Sequence, residues 1–436
     1  IAGTSTSGAG TDLQAAGSLT GAGYVNGSST SGTGVSVTGS VGDNHLAGTS
    51  ATGTGAQLGS GASVGATGTV NGTSDSGTGA AIDGDVNNNG SINGHSDGNV
   101  GMRVTGELNG AGSAQGSSAR SSYGTVLTGA VNGNALSGTS NLATGTYVGD
   151  GASVLSGSVS GDSTRGTGVV IGGSVNNQGA ISGTSQRGTG AELEGNVSLS
   201  GGGDVNGRSS SGAGVSVAGN VGDNHVSGRS VDGQGAAVSN GAAVGAAGSV
   251  SGTSTNNSGV VTSGDVSNQG AISGTSDFAS GVELAGRMSG TGTVSGSSST
   301  GDVGVNVTGV VGTNQVAGQS VNGPGVVLNS GSSVAAGGSV SGSSVGGSGV
   351  GVLGDVSSYG DIRGTAQDGI GITVLGNLSG GGSLTGVADG GTGVDLANGT
   401  QVLNTTVNGT STSGSGVAVT GGVTLDEATA ANLSGH

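Results

Sequence analysis

Gly27-Ser28-Ser29, Gly48-Thr49-Ser50, Gly72-Thr73-Ser74 and Gly94-His95-Ser96 open four consecutive segments between Gly27 and Gln115. Their spacing of about 22 residues decides the fold, because a fixed period of that size marks a solenoid. The same joint returns at Gly116, and outward from there it runs from Gly3 to Gly409. A longer period of about 90 residues, four turns, lies over the short one. Val35-Ser36-Val37-Thr38-Gly39-Ser40-Val41-Gly42-Asp43-Asn44-His45 is answered by Val215-Ser216-Val217-Ala218-Gly219-Asn220-Val221-Gly222-Asp223-Asn224-His225. Low complexity alone does not produce a match of that length.

Within a turn the apolar residues alternate. Val35, Val37, Val41 and Leu46 serve the first turn, and Ala56, Leu58, Val64 and Val70 the second. Ala80, Ile82, Val86 and Ile92, then Met102, Val104, Leu108 and Ala114, complete the cassette. Period-2 runs of three to five residues broken by glycine are strands. Helical spacing is missing throughout the repeats. One turn cannot bury four small aliphatic side chains alone, but stacked turns can, pairing through parallel backbone hydrogen bonds. The expectation is an all-β, right-handed parallel β-helix of about 19 coils, roughly 90 Å long at about 4.8 Å per coil. It is read as one region over 1–436, with an irregular terminal coil at 420–436 where Leu425-Asp426-Glu427-Ala428 breaks the pattern. Residues 1–26 read as one further turn with Leu13 and Val25 inward. Neither end reads as a cap, so the natural chain is expected to continue past both.

Composition narrows the function. The 436 residues include 107 glycines, one proline, no cysteine and no tryptophan. Aromatics at 1% leave no ordinary globular core. The formal charge of −17, with eight arginines and no lysine, argues against nucleic-acid or anionic-membrane binding, which needs clustered positive charge. No apolar run is long enough for a membrane span. Absence of cysteine fits an extracellular protein.

Candidate chemistry is sparse, and no catalytic residue or cofactor is expected. His45 and His225 sit in Gly-Asp-Asn-His segments whose other copies carry Gln315 and Ala135; they read as polar loop residues, and His95 and His436 as isolated ones. Asp85 and Glu107 are expected on adjacent turns, one beneath the other, and form the one weak candidate for a metal, Ca²⁺ by its oxygen chemistry. Their counterparts are Ser174 with Asn196, Asp265 with Arg287 as a surface ion pair, and Asp355 with Asn377. Gly201-Gly202-Gly203-Asp204 has the look of a Ca²⁺-binding nonapeptide but occurs once. Asn87-Asn88-Asn89-Gly90, Asn176-Asn177-Gln178-Gly179 and Ser267-Asn268-Gln269-Gly270 read as turns needing positive φ.

The unit Gly32-Thr33-Gly34-Val35-Ser36-Val37-Thr38-Gly39, with joints such as Val70-Asn71-Gly72-Thr73-Ser74 and Val407 to Ser411, resembles the filamentous haemagglutinin-like adhesins of two-partner secretion systems. The resemblance covers essentially the whole chain. It implies the shaft of a secreted adhesin on a bacterial cell surface, serving attachment and biofilm formation, and an outer-membrane transporter as secretion partner. Partners would be host or bacterial surface glycans or proteins, engaged in part through regions outside this stretch. Alternatives are the stalk of a contact-dependent inhibition exoprotein, a polysaccharide-degrading β-helix, and a sugar- or ice-binding Ser/Thr face through outward Thr38, Thr128 and Thr308.

Overall fold

The structure is a computed structural model that describes residues 1–120 and 122–436. The chain is a parallel β-solenoid of about twenty turns, with almost no helix. It divides into two compact units, Ile1–Val215 and Ser216–His436, and each is built on the same plan.

In the first unit the long ladder consists of six-residue strands such as Tyr24–Ser29, His45–Ser50, Thr69–Ser74 and Ser91–Ser96. Gly27, Gly48, Gly72, Gly94 and Gly116 stand in register along it. A second ladder stacks the three-residue strands Val35–Val37, Ala56–Leu58, Ala80–Ile82 and Met102–Val104. A third stacks Ser40–Gly42, Ser63–Val64, Val86–Asn88 and Glu107–Asn109. Ala130–Ser140 and Ser153–Ser163 instead run unbroken from the third face into the first; the register shifts at that corner, where Gly133 and Gly157 take positive φ. The second unit repeats the three ladders, with Gly228, Gly252, Gly274, Gly296 and Gly318 in register.

The alternating apolar residues point inward as expected. Val35, Val37 and Val41 are fully buried, and Leu46 is 1% exposed. In the matching turn of the second unit Val217 and Val221 are likewise buried, with Val226 at 2%. Each turn thus hides about four aliphatic side chains, at roughly 1.5–3 kcal/mol apiece, and a single turn has no interior of its own in which to do so.

The joint itself has a sharper logic than its sequence suggested. At Gly72 the φ is ordinary, but a Cβ would stand 2.2 Å from Gly79 O and 2.6 Å from Ala56 N. Glycine is required there by closeness, since the second ladder crosses directly over the first. Of the polar pair that follows, only the first residue faces out. The second turns inward: Ser74 Oγ donates to Gly53 O at 2.8 Å and accepts from Gly77 N–H at 2.8 Å. One hydroxyl therefore ties each corner both to the turn beneath and to its own loop. Ser96, Ser185 and Ser254 repeat the arrangement.

Three expectations need correction. The asparagine segments are not positive-φ turns: Val86–Asn88 is a strand, and Asn88, Asn177 and Asn268 are fully buried inside the corner. The register places Val175 against Leu199, so Ser174 neighbours Ser198, not Asn196; the two extra residues form a turn with Asn196 at φ 63°. The tail is more regular than its sequence. Asp426 caps the short helix Glu427–Ala431, and Leu433–Gly435 then rejoins the long ladder, with Gly409 opposite Gly435. That adds Gly435 to the joint glycines of the second unit, beyond the last one read from sequence, Gly409.

At the outermost turns the interior is less covered. Leu13 and Val417 are half-buried, whereas Val25 is 5% exposed and Val419 50% exposed. No helix among the described residues is long and apolar enough to cross a membrane.

Candidate functional site

Asp85 and Glu107 do stack, since Val86 pairs with Leu108 one residue on. Asp85 is exposed and Glu107 half-buried. Their relation is not two carboxylates facing an ion: Asp85 Oδ1 accepts the backbone N–H of Glu107 at 3.3 Å. No third acidic or histidine side chain joins them among the described residues. Asp265 and Arg287 are likewise in register, but no ion pair links them. The described pairs are Arg103 with Asp83 at 3.2 Å and His95 with Asp97 at 3.2 Å. Asn377 Nδ2 donates to Asp355 Oδ1 at 2.8 Å. The Arg103–Asp83 and Asn377–Asp355 contacts are short side-chain links between successive turns, His95–Asp97 lies within one turn, and all are at the surface.

His45 and His225 begin strands and are not loop residues. Each continues a column on the outer face of the long ladder. His45 Nδ1 lies 2.9 Å from Thr69 Oγ1, and His225 Nδ1 lies 3.0 Å from Ser249 Oγ. His95 does the same with Ser117 Oγ at 2.8 Å. Thr38 and Thr308 spend their hydroxyls on backbone carbonyls of Leu13 and Leu284. Gly201-Gly202-Gly203-Asp204 includes a strand end and packs against Asn177 through Gly203.

The outer face of the long ladder is therefore the surface with the most organised polar chemistry. In the first unit its middle column runs Ala2, Asn26, Ala47, Asn71, Asn93, Gln115 and continues through Ser137, Ser160 and Ser182 to Asn206. Asn93 Nδ2 donates to Asn71 Oδ1 at 2.9 Å, which links these two neighbouring amides across the turns. The column beside it reads Tyr24, His45, Thr69, Ser91. Tyr24 is 71% exposed, with its ring 5.1 Å from that of His45. Clefts lie along this face in both units. One is bounded by Tyr24, His45, Asn26 and Asn71, and another in the second unit by Ser273, Ser295 and Gln319.

A second aromatic pair joins Tyr147, on the three-residue ladder, to Tyr123 in the loop before the strand Thr125–Leu127. Tyr123 and Tyr147 are 5.3 Å apart. Burial pushes the Tyr147 phenol above its ordinary value, helped by the nearby Glu194, Tyr123 and Asp150.

Sequence reasoning missed the inward serines and the buried asparagines. The signal for the asparagines was present, since Asn88 stands two residues beyond inward Val86 and the alternation simply continues. The chain matches no protein-family model and no curated protein.

Proposed function

We propose that this chain is the shaft of a secreted bacterial surface adhesin, a non-catalytic element that carries attachment chemistry away from the cell. The supporting observation is the in-register pairing of the long ladder within each unit, with turns buried on their neighbours and most of them pinned at a serine corner. Such stacking is quasi-one-dimensional, so turns add length without changing the plan. The acidic surface keeps such an array soluble and resists side-to-side association. The uneven side-chain chemistry from turn to turn on the two narrower ladders suits a spacer better than a catalytic groove.

The test is removal of one four-turn cassette, residues 116–206, in register from the chain displayed on cells. A shaft retains surface display and attachment and loses only standoff distance, read by electron microscopy of antibody-labelled cells. Failure of an antibody against this chain to label intact cells would overturn the reading.

A further inference from the structure

The chain has four tyrosines, and neither cysteine nor tryptophan. Two of the four meet. Tyr123 and Tyr147 stand with ring centroids 5.3 Å apart and planes at 42°, whereas Tyr24 contacts His45 and Tyr359 is 61% exposed. The meeting joins neighbouring turns. Thr125–Leu127 pairs in register with Thr146–Val148, and Tyr123 lies two residues before the first of these strands. Two local features bring the rings together. The corner loop that carries Tyr123 is one residue longer than its neighbours, running from Gly116 to Thr125 where they run from Gly94 to Met102 and from Gly138 to Thr146. Beside Tyr147, Gly149 and Gly172 leave bare backbone: a Cβ on Gly149 would lie 3.1 Å from Tyr147 Cε1, and one on Gly172 2.6 Å from its Cε2. The Tyr147 ring therefore lies across its own turn and the next.

We propose that Tyr123 and Tyr147 are a site of oxidative coupling, joined by a carbon–carbon bond into a dityrosine that fastens one turn covalently to the next. The oxidant is hydrogen peroxide acting through a haem peroxidase. Each phenol gives up one electron and its hydroxyl proton. The two phenoxyl radicals join at Cε carbons, ortho to their oxygens, and the hydrogens on those two carbons then move to the oxygens and restore both phenols. The peroxide takes up the two electrons and two protons and leaves as two waters. Geometry favours this pair. The rings are already in contact, and their tilt is neither stacked nor perpendicular, the twisted relation that a biaryl bond keeps. Holding both radicals side by side replaces an encounter between molecules by a step within one. Tyr123 is 38% exposed, so an external oxidant reaches it. Glu194 and Asp150 are near enough to act on the Tyr147 phenol and take the proton that it sheds. Without cysteine, no disulfide is open to this chain as a staple between turns.

This goes beyond the shaft reading, which stands whether or not the pair couples. The test treats the full folded chain, at several dilutions, with a haem peroxidase and limiting hydrogen peroxide. Dityrosine is read by its fluorescence and located by mass spectrometry of the unfolded, digested product. Trypsin cuts after Arg120 and Arg165 and so releases both tyrosines in the single peptide 121–165. The expected result is loss of two hydrogen atoms from that peptide in the monomeric chain, with no fragment ions from between residues 123 and 147. Its yield is the same at every dilution. Tyr123→Phe and Tyr147→Phe keep both rings and each lower the fluorescence of the monomer about tenfold or more, while Tyr24→Phe leaves it unchanged. An unmodified peptide under conditions that couple free tyrosine, or dityrosine found only in covalent dimers, overturns the proposal. Either outcome leaves surface display untouched and so is separable from failure of the shaft reading.

Discussion

Asn88 Nδ2 donates to Asn134 Oδ1 at 2.8 Å, joining two turns across the one between them. The intervening turn offers glycine at the crossing: a Cβ on Gly112 would lie 2.6 Å from Asn88 Nδ2. Asn88 also donates to Ser113 O at 3.0 Å and accepts from Gly90 N–H at 3.2 Å, while Asn134 Nδ2 donates to Gly110 O at 2.9 Å. Both amides are fully buried. A polar group in that position stabilises only when satisfied, and here it is.

The second unit carries the same link between Asn268 and Asn314 at 3.2 Å, over Gly292. It is less complete, because Asn268 Oδ1 and Asn314 Nδ2 have no partner among the described residues. Asn88→Ala is therefore expected to cost more than Asn268→Ala, about 1–3 kcal/mol for the first. In a stacked array the loss is local, so it is read as faster amide exchange in Ser113–Ser118 and not as a shift of one global melting point. Equal exchange in wild type and Asn88→Ala would show that the link contributes nothing.

The glycines separate into two classes that substitution distinguishes. Gly72 is hemmed in by backbone, with Gly79 O at 2.2 Å from a built Cβ, and neither strand can yield without breaking its ladder. Gly72→Ala is expected to disrupt the turns on either side and to lower expression sharply. Gly195 has nothing within 4 Å and no positive φ. Gly195→Ala is expected to change stability by no more than about 0.5 kcal/mol. Thermal unfolding followed by circular dichroism compares them, and similar behaviour of the two would refute the crowding argument.

How much of this was legible beforehand depended on which physical rule governed each residue. The period of the joints and the alternation of Val35, Val37, Val41 and Leu46 specified parallel stacking, because burial of small aliphatics has no other outlet in such a chain. The pairing of Asp85 with Glu107 followed from register alone. What lay beyond reach was the inside–outside choice for polar residues. Ser74 and Asn88 look like solvent-facing turn residues by type, and only the continued alternation places them inside. The tail failed for another reason. Its short helix is set by one cap, Asp426 to Thr429 N–H at 2.9 Å, and five helical residues leave almost no periodic trace. The meeting of Tyr123 with Tyr147 depends on which residues become neighbours across turns, and that required the exact register of insertions.

The serine corner supplies a gain-of-stability test. Alanine replaces the inward serine at Ala366 and Ala388, where the loops lose the hydroxyl that Ser344 uses for Gly323 O and Gly347 N–H, both at 2.8 Å. Ala366 is 6% exposed and sits in register with Ser344. Ala366→Ser is expected to gain about 0.5–1.5 kcal/mol, seen as slower amide exchange at Gly369. No slowing there would mean that the hydroxyl is incidental to the corner.

Acid should release the terminal helix before it affects anything else. Asp426 sits at the helix N-terminus, and its carboxyl is held below the ordinary carboxylate value by a side-chain hydrogen bond from Thr429 and by the backbone N–H groups of Asn404 and Thr429. The Asn404 bond is 2.8 Å, and Thr429 Oγ1 in turn accepts Thr405 N–H at 3.0 Å. One carboxylate therefore organises both the helix and the last corner of the ladder beneath it. A carboxyl depressed in the folded state contributes stability above its unfolded value of 3.8, and that contribution disappears as pH falls through the lower folded value. At neutral pH the strand Leu433–Gly435 stays paired with Thr406–Ser411; as pH drops below 3.8 and on through the lower folded value it frays while the inner turns hold. Asp426→Asn is expected to fray already at neutral pH and to show no further acid step. Amide exchange at Asn404, Thr405 and Leu433 measured from neutral pH down to well below the ordinary carboxylate value of 3.8 reports the transition, and a wild-type profile that matches Asp426→Asn at neutral pH would overturn the assignment.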